Sequence, residues 1–305
     1  MRRTAAFDVG ALAIAGLTAL LWGLTGVFVR LLPSLPPLTL TALRLAIALA
    51  VLLPMLGLAA TMRRALAVVA KQASAYVLAS LLVGYYLLAT AAFQLAPVAE
   101  VAVLLSTAPV FVLSFRRIRG EPVQRRQAAG ALLALSGIAI VVAPGWSPGA
   151  SPTAARLAGD GLAACAAALT AVYAIYYNAL AQRGRAPDSV ALSVLTLALG
   201  VIVAGSAAAL LEPQAAVGPW ETKIVLLLGL GVLCTAVPTI GFAVASRRLA
   251  AVVTACISLS IPIFAALFAQ WMLGESLSVL FVPGLAFALA GMAMIVVPGR
   301  QRSIA

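Results

Sequence analysis

Residues 120–145 read GEPVQRRQAAGALLALSGIAIVVAPG, and residues 274–299 read GESLSVLFVPGLAFALAGMAMIVVPG. Gly120, Glu121, Gly130, Gly137, Pro144 and Gly145 meet Gly274, Glu275, Gly284, Gly291, Pro298 and Gly299 at one constant offset. Just upstream, A-P-V-F at Ala108–Phe111 matches I-P-I-F at Ile261–Phe264 after a one-residue shift. More weakly, Gly10 with Trp22-Gly23 aligns with Gly161 and Tyr173-Ala174. The chain therefore reads as two related halves, residues 1–145 and 156–299.

Of the 305 residues, 64% are apolar and 9% charged, where a soluble domain carries about 45–50% and about 25%. No water-soluble surface can be made from this composition, so the expected class is an all-α, polytopic membrane protein. The apolar runs are about 20 residues long, enough for a helix to cross roughly 30 Å of hydrocarbon, and they lack the strict alternation of a membrane β-barrel. Ten spans are expected, at 9–31, 37–58, 73–94, 97–116, 126–143, 158–181, 189–211, 223–246, 250–272 and 278–298. The first is preceded by Arg2 and Arg3 and mimics a signal peptide. It is too long for a signal's apolar region, and it is read as a span.

The net charge of +12 is read as a topology signal, with no nucleic-acid partner implied. Sixteen of the 20 basic residues fall on one side of a ten-span arrangement, among them Arg63, Arg117, Arg183 and Arg300. Arg30, Arg156 and Lys223 fall on the other side, and Arg44 lies within the second span. The positive-inside rule then places both termini in the cytoplasm. Cys165, Cys234 and Cys256 share no metal spacing and read as packing residues.

A repeat unit of five spans is odd, so the second half is expected to be inverted relative to the first. Inverted repeats mark secondary transporters, in which one fold used in both orientations gives two states. Gly130, Ala134 and Gly137 share a face of span five, and Gly284, Ala288 and Gly291 share one of span ten. Small residues let helices approach closely in lipid. Spans five and ten are read as a scaffold that holds the halves together or makes a dimer.

The two five-span units, Trp22-Gly23, Arg44, Pro109, Pro262 and the Gly120-Glu121 and Gly274-Glu275 frames resemble the EamA repeats of the drug/metabolite transporter superfamily. Within it, the likeness is nearest to YddG-type bacterial exporters of aromatic amino acids. The resemblance implies a basket of helices around a central cavity, with spans five and ten set apart. It also implies export of amino acids or other small metabolites across a bacterial inner membrane, by a monomer or a homodimer.

Substrate is expected near the bilayer midplane between the repeats. Thr18, Trp22, Thr25 and Val29 form one stripe on span one, which either packs in the core or lines the cavity. Tyr85 and Tyr86 are adjacent and point about 100° apart. One of them is expected to face the cavity, with Tyr86 preferred and Thr90 one turn later. On span six, Tyr173 lies deeper than Tyr176, Tyr177 and Asn178, which read as interfacial. Pro109 and Pro262 are equivalent mid-span breaks, expected to free the carbonyls of Leu105 and Ser258. Thr107 and Ser260 precede them by two residues. These hydroxyls either bind substrate or bond back to the helix, and the prolines are either hinges or structural kinks. Arg44 and Glu100 either pair with each other or snorkel to the outer interface.

The candidate substrate contacts are thus Trp22, Tyr86, Thr90, Thr107, Tyr173 and Ser260. No cofactor is expected. With no histidine and no midplane carboxylate, obligatory proton coupling is not expected, and Glu100 is the one candidate for it. A nucleotide-sugar, phosphate-ester or drug carrier on the same fold is the alternative. Enzyme activity is not expected. There are no H-E-x-x-H ligands and no phosphate-binding loop, and Asp8, Asp160 and Asp188 lie outside the span centres. The expected cargo is a neutral zwitterion with an apolar side chain, most simply an aromatic amino acid.

The charge bias makes one direct prediction. Cysteines placed at Arg117 and Arg300 should be silent to a membrane-impermeant thiol reagent applied to intact cells. Labelling of both would reverse the topology.

Overall fold

Gly120 and Gly274, which open the two G-E frames, both hold a left-handed backbone, with φ of 78° and 65°. Glycine adopts this conformation without strain and commonly ends helices. Each frame accordingly begins where a helix stops, after Ala108–Ile118 in one half and after Ile261–Leu273 in the other. Helix starts are marked as clearly. The Asp188 side chain accepts the backbone N–H groups of Val190 and Ala191, both at 3.0 Å, and Thr153 accepts that of Arg156. Such caps satisfy donors that a helix N-terminus leaves over.

The computed structural model describes residues 9–58, 60–143, 153–212, 220–248 and 259–296, and among these it is helical with no strand. The first half contains α1 (Val9–Gly23), α2 (Thr25–Arg30), α3 (Pro37–Leu58), α4 (Ala60–Val69), α5 (Ala73–Leu95), α6 (Val98–Leu105), α7 (Ala108–Ile118) and α8 (Arg125–Val142). The second contains α9 (Ala154–Gln182), α10 (Ser189–Leu211), α11 (Trp220–Leu228), a π-helical segment (Gly229–Ala236), α12 (Val237–Arg248), α13 (Ile261–Leu273) and α14 (Phe281–Val296). Among the described residues, seven stretches are long and apolar enough to cross a membrane: Val9–Arg30, Pro37–Pro54, Ala73–Leu95, Val98–Ile118, Ala154–Gln182, Ser189–Leu211 and Lys223–Phe242. Helices α13 and α14 are shorter and apolar.

Three local features differ from the sequence reading. The stretch read as a loop after span two carries α4, whose Arg63 and Arg64 are exposed while Val69 is buried. Span eight contains a π-helical stretch, within which the Thr235 hydroxyl donates to the Leu230 carbonyl five residues back. Span one is interrupted at Leu24. Of the cysteines, Cys234 is buried and Cys165 is exposed; Cys256 lies outside the described residues.

Helices of the first half pack mainly on helices of the second. Helix α5 lies along α9, α3 along α10, α1 along α12 and α13, and α6 along both α9 and α13. The most extensive packing joins α8 to α14. There, a Cβ added to Gly130 or Gly137 would come under 3.0 Å from the Gly291 carbonyl or from the backbone of Ala288 and Gly284. One added to Gly291 would meet the backbone of Ala134 and Gly130 as closely. The small-residue faces of spans five and ten are therefore turned on each other within one chain. Both helices carry small residues because lipid supplies no hydrophobic drive, and close packing must hold them together.

Gly291→Ala should accordingly lower unfolding stability in detergent by about 1–3 kcal/mol, the typical cost of overpacking. Gly16→Ala, with nothing within 4 Å of its added Cβ, should leave stability unchanged or slightly raised. Equal thermal midpoints for the two variants would contradict this packing.

Candidate functional site

Arg44 sits two turns into α3, about 10 Å from the helix start at 1.5 Å per residue. It is 2% exposed. Its guanidinium lies over the Tyr86 ring, 4.8 Å from the centroid. Its Nε is buried with no hydrogen-bond partner, and no described carboxylate forms an ion pair with it. A charge at the bilayer centre costs about 2.5–3.5 kcal/mol on insertion scales. A desolvated cation–π contact returns about 2 kcal/mol. The ring therefore offsets part of the cost, and a positive charge remains unmet.

The elements around Arg44 explain how it is held. The π-helical segment runs so close to α3 that a Cβ on Gly231 would meet Ile47 at 2.5 Å and the Arg44 carbonyl at 3.1 Å. The neighbouring Cys234 is within electrostatic reach of Arg44 and lies beside Thr25 of α2. The Tyr86 side chain lies beside Thr239 of α12, whose hydroxyl donates to the Thr235 carbonyl at 2.6 Å. Tyr85 meets the Tyr86 ring edge-on, with centroids 5.5 Å apart. Of the adjacent tyrosines, Tyr86 is thus the one that meets Arg44. Trp22, in the last turn of α1, packs at a 47° tilt against Phe242 of α12, 5.4 Å between centroids. Both halves of the chain contribute to this group.

The other expected contacts are placed differently. Tyr173 stacks on Tyr177 at 5.9 Å and 17° and joins an apolar cluster with Val69, Leu78, Leu180 and Leu192. It remains within electrostatic reach of Tyr86. The Thr90 hydroxyl donates to the Tyr86 carbonyl at 2.7 Å. The Thr107 hydroxyl donates to the Leu104 carbonyl at 2.7 Å. Both threonines are buried and bonded back to their own helices. Ser260 is the N-cap residue of α13.

The prolines require a correction. Mid-helix prolines would free carbonyls four residues back, yet Pro109 and Pro262 each sit in the first turn of a new helix, α7 and α13. Proline is favoured there because its missing N–H has no intrahelical partner to lose. Span four simply stops at Leu105 and restarts at Ala108, with the Thr107 N–H donating to the Leu104 carbonyl across the break. Ser258 lies outside the described residues.

The Arg44–Glu100 pair also gives way to a different arrangement. Glu100, 8% exposed, accepts two hydrogen bonds from Arg156 on α9, one of them from Nε at 3.1 Å. Asp160, one turn along α9, has a buried Oδ1 with no partner. Nearby, Glu275 accepts the backbone N–H of Val98, capping α6, at 3.1 Å. It lies 3.9 Å from Arg30, which donates to the Gln94 carbonyl. Glu212 caps α3 through the N–H groups of Leu38 and Thr39. Sequence reasoning counted Arg30 and Arg156 as topology signals and Glu275 as part of a repeat. Their partners lie as far as 245 residues away, from Arg30 to Glu275, which no local spacing could reveal.

Comparison with known proteins agrees with this architecture. A family model described as "EamA-like transporter family" matches residues 10–143 and 157–297. One similar solved structure, described only as "Crystal structure of protein", superposes with a TM-score of 0.66 at 20% sequence identity. The match covers 96% of this chain and 99% of that one, a likeness of fold alone. No curated protein matches.

Proposed function

This chain belongs to the EamA-like transporter family, and from that premise we propose that it is a secondary carrier for small metabolites with aromatic or other apolar side chains. Membership makes it a multi-pass membrane transporter of the drug/metabolite type. The finer reading is export of apolar amino acids by alternating access, through ten spans arranged as two inverted repeats around a central site. The proposed setting is a bacterial inner membrane, with both termini in the cytoplasm.

The observation that carries this reading is the buried Arg44 with Tyr86 and Tyr85 beside it, together with the Trp22–Phe242 ring pair that joins the two halves. Aromatic faces stack on aromatic cargo with about 0.5–1.5 kcal/mol beyond area burial. The packing pattern supports the inverted repeat. Exchanging each span for its counterpart turns α5 on α9 into α1 on α12, and α6 on α9 into α1 on α13, all of which are observed contacts. Nucleotide sugars and phosphate esters carry more negative charge than a lone arginine balances, which disfavours the alternative cargo. The restarts at Pro109 and Pro262 are the proposed bending points of spans four and nine. Glu100 is engaged by Arg156, which supports a structural role for it over obligatory proton coupling.

Proteoliposome counterflow tests the reading. Phenylalanine and tryptophan should be carried, and Trp22→Ala should weaken them by about tenfold, the equivalent of one lost stacking contact. Glu100→Gln should keep most counterflow, and the Pro109→Ala, Pro262→Ala double variant should slow it. Vesicles that move lysine or a sugar phosphate and ignore both aromatic amino acids would refute the cargo. A strict pH-gradient requirement that Glu100→Gln abolishes would make Glu100 the coupling site.

A further inference from the structure

The charge on Arg44 stands apart from those of the ion-paired arginines. Arg30 lies beside Glu275, Arg116 beside Glu121 and Arg156 beside Glu100. Each of these basic groups has an acid supplied by the chain. Arg44 is more deeply buried, yet the groups it interacts with electrostatically are Tyr86, Tyr85 and Cys234. Its Nε donor is shielded from solvent and has no acceptor. A buried donor without a partner is costly in any protein, and most costly when charged. Such a group persists in a transporter where a solute supplies what the chain withholds.

We propose that Arg44 is the anchor for one carboxylate on the transported solute, with the Tyr86 ring fixing the guanidinium and the nearby aromatic side chains left for the solute's apolar part. The planar guanidinium presents parallel N–H donors that match a carboxylate's two oxygens, which a point charge does not. Among the described residues the site holds a single fixed cation, so it balances one negative charge. A phosphate monoester, near two negative charges at neutral pH, would be left half-compensated. No described acid stands by to receive an ammonium group. Recognition therefore runs through the acid end of the cargo, and the amine end is secondary. This role for Arg44 rests on the reading of the chain as a carrier of apolar-side-chain metabolites, which it makes more specific.

The test uses the full-length chain in proteoliposomes, with phenylalanine counterflow and three competitors. They are 3-phenylpropionate, which keeps the carboxylate and lacks the ammonium; phenethylamine, which does the reverse; and phenyl phosphate. The expected order puts 3-phenylpropionate near phenylalanine itself, with phenethylamine and phenyl phosphate weaker by about tenfold or more, as loss of a charged hydrogen-bonding pair implies. Arg44→Gln should weaken phenylalanine and 3-phenylpropionate by about 10- to 100-fold and abolish the difference between acid and amine. Arg44→Lys should restore part of it. Phenethylamine competing as well as 3-phenylpropionate would overturn the proposal, as would unchanged phenylalanine affinity in a folded Arg44→Gln protein. If the Arg44 variants fail to fold, the competitor order on the natural chain decides alone. If phenylalanine is not carried, the cargo reading fails separately, and thermal-shift titration with benzoate and phenethylamine then decides. Stabilisation of the natural chain by benzoate alone supports the Arg44 anchor, and no effect of benzoate overturns it.

Discussion

Hydrocarbon offers no hydrogen bonds, so each polar group this chain carries into the membrane must be satisfied by the chain itself or by what the chain carries. That constraint accounts for the helices and for the way they are broken. At the end of α6 the Ser106 hydroxyl donates to the Ala102 carbonyl and the Thr107 hydroxyl to the Leu104 carbonyl. Beyond the interruption of span one at Leu24, the Phe28 N–H donates back to the Leu24 carbonyl, so the backbone pattern is resumed. The π-helical turn of span eight uses the Thr235 hydroxyl in the same way. Of these irregularities, the π-helical segment lies directly against Arg44, whose buried Nε has no hydrogen-bond partner.

The molecule separates rigidity from adaptability. Between α8 and α14 the contact is backbone on backbone, with Ala134 and Ala288 fully buried. Surfaces that close have no slack for sliding, because one added methyl meets main-chain atoms. Around Arg44 the contacts are aromatic rings, a thiol and one charge, which the proposed site would exchange for contacts to a solute. Glu275 lies between these regions in the chain. It follows α13, precedes α14 and caps α6, so a single carboxylate ties the start of span four to the turn between spans nine and ten.

Much of the fold was legible because lipid imposes long apolar runs and close packing imposes glycine. Gly120 and Gly274 end helices in a left-handed conformation, and Gly130, Gly137, Gly284 and Gly291 mark the faces that meet. The candidate site was legible in kind but less so in partnership. Trp22, Tyr86 and Arg44 were singled out by depth, yet nothing in the pattern pairs Arg44 with Tyr86 or Glu100 with Arg156. Those choices depend on helix rotation, which a uniformly apolar span does not specify. Proline announced a break in span four but not its position. The ring is tolerated in the first turn of a helix, so the break moved ahead of Pro109 to Ser106 and Thr107. Helix α4 was hidden because its basic residues read as loop charge.

The central claim is that the layer around Arg44 and Tyr86 is a solute site open to each side of the membrane in turn. The most direct measurement places a cysteine at Thr239, beside Tyr86, in a chain whose Cys165, Cys234 and Cys256 are replaced by alanine. A membrane-impermeant thiol reagent is then applied to sealed vesicles of each orientation. The account predicts modification from both sides, at rates that phenylalanine changes. Modification from one side only, whatever solute is present, would contradict alternating access at this site.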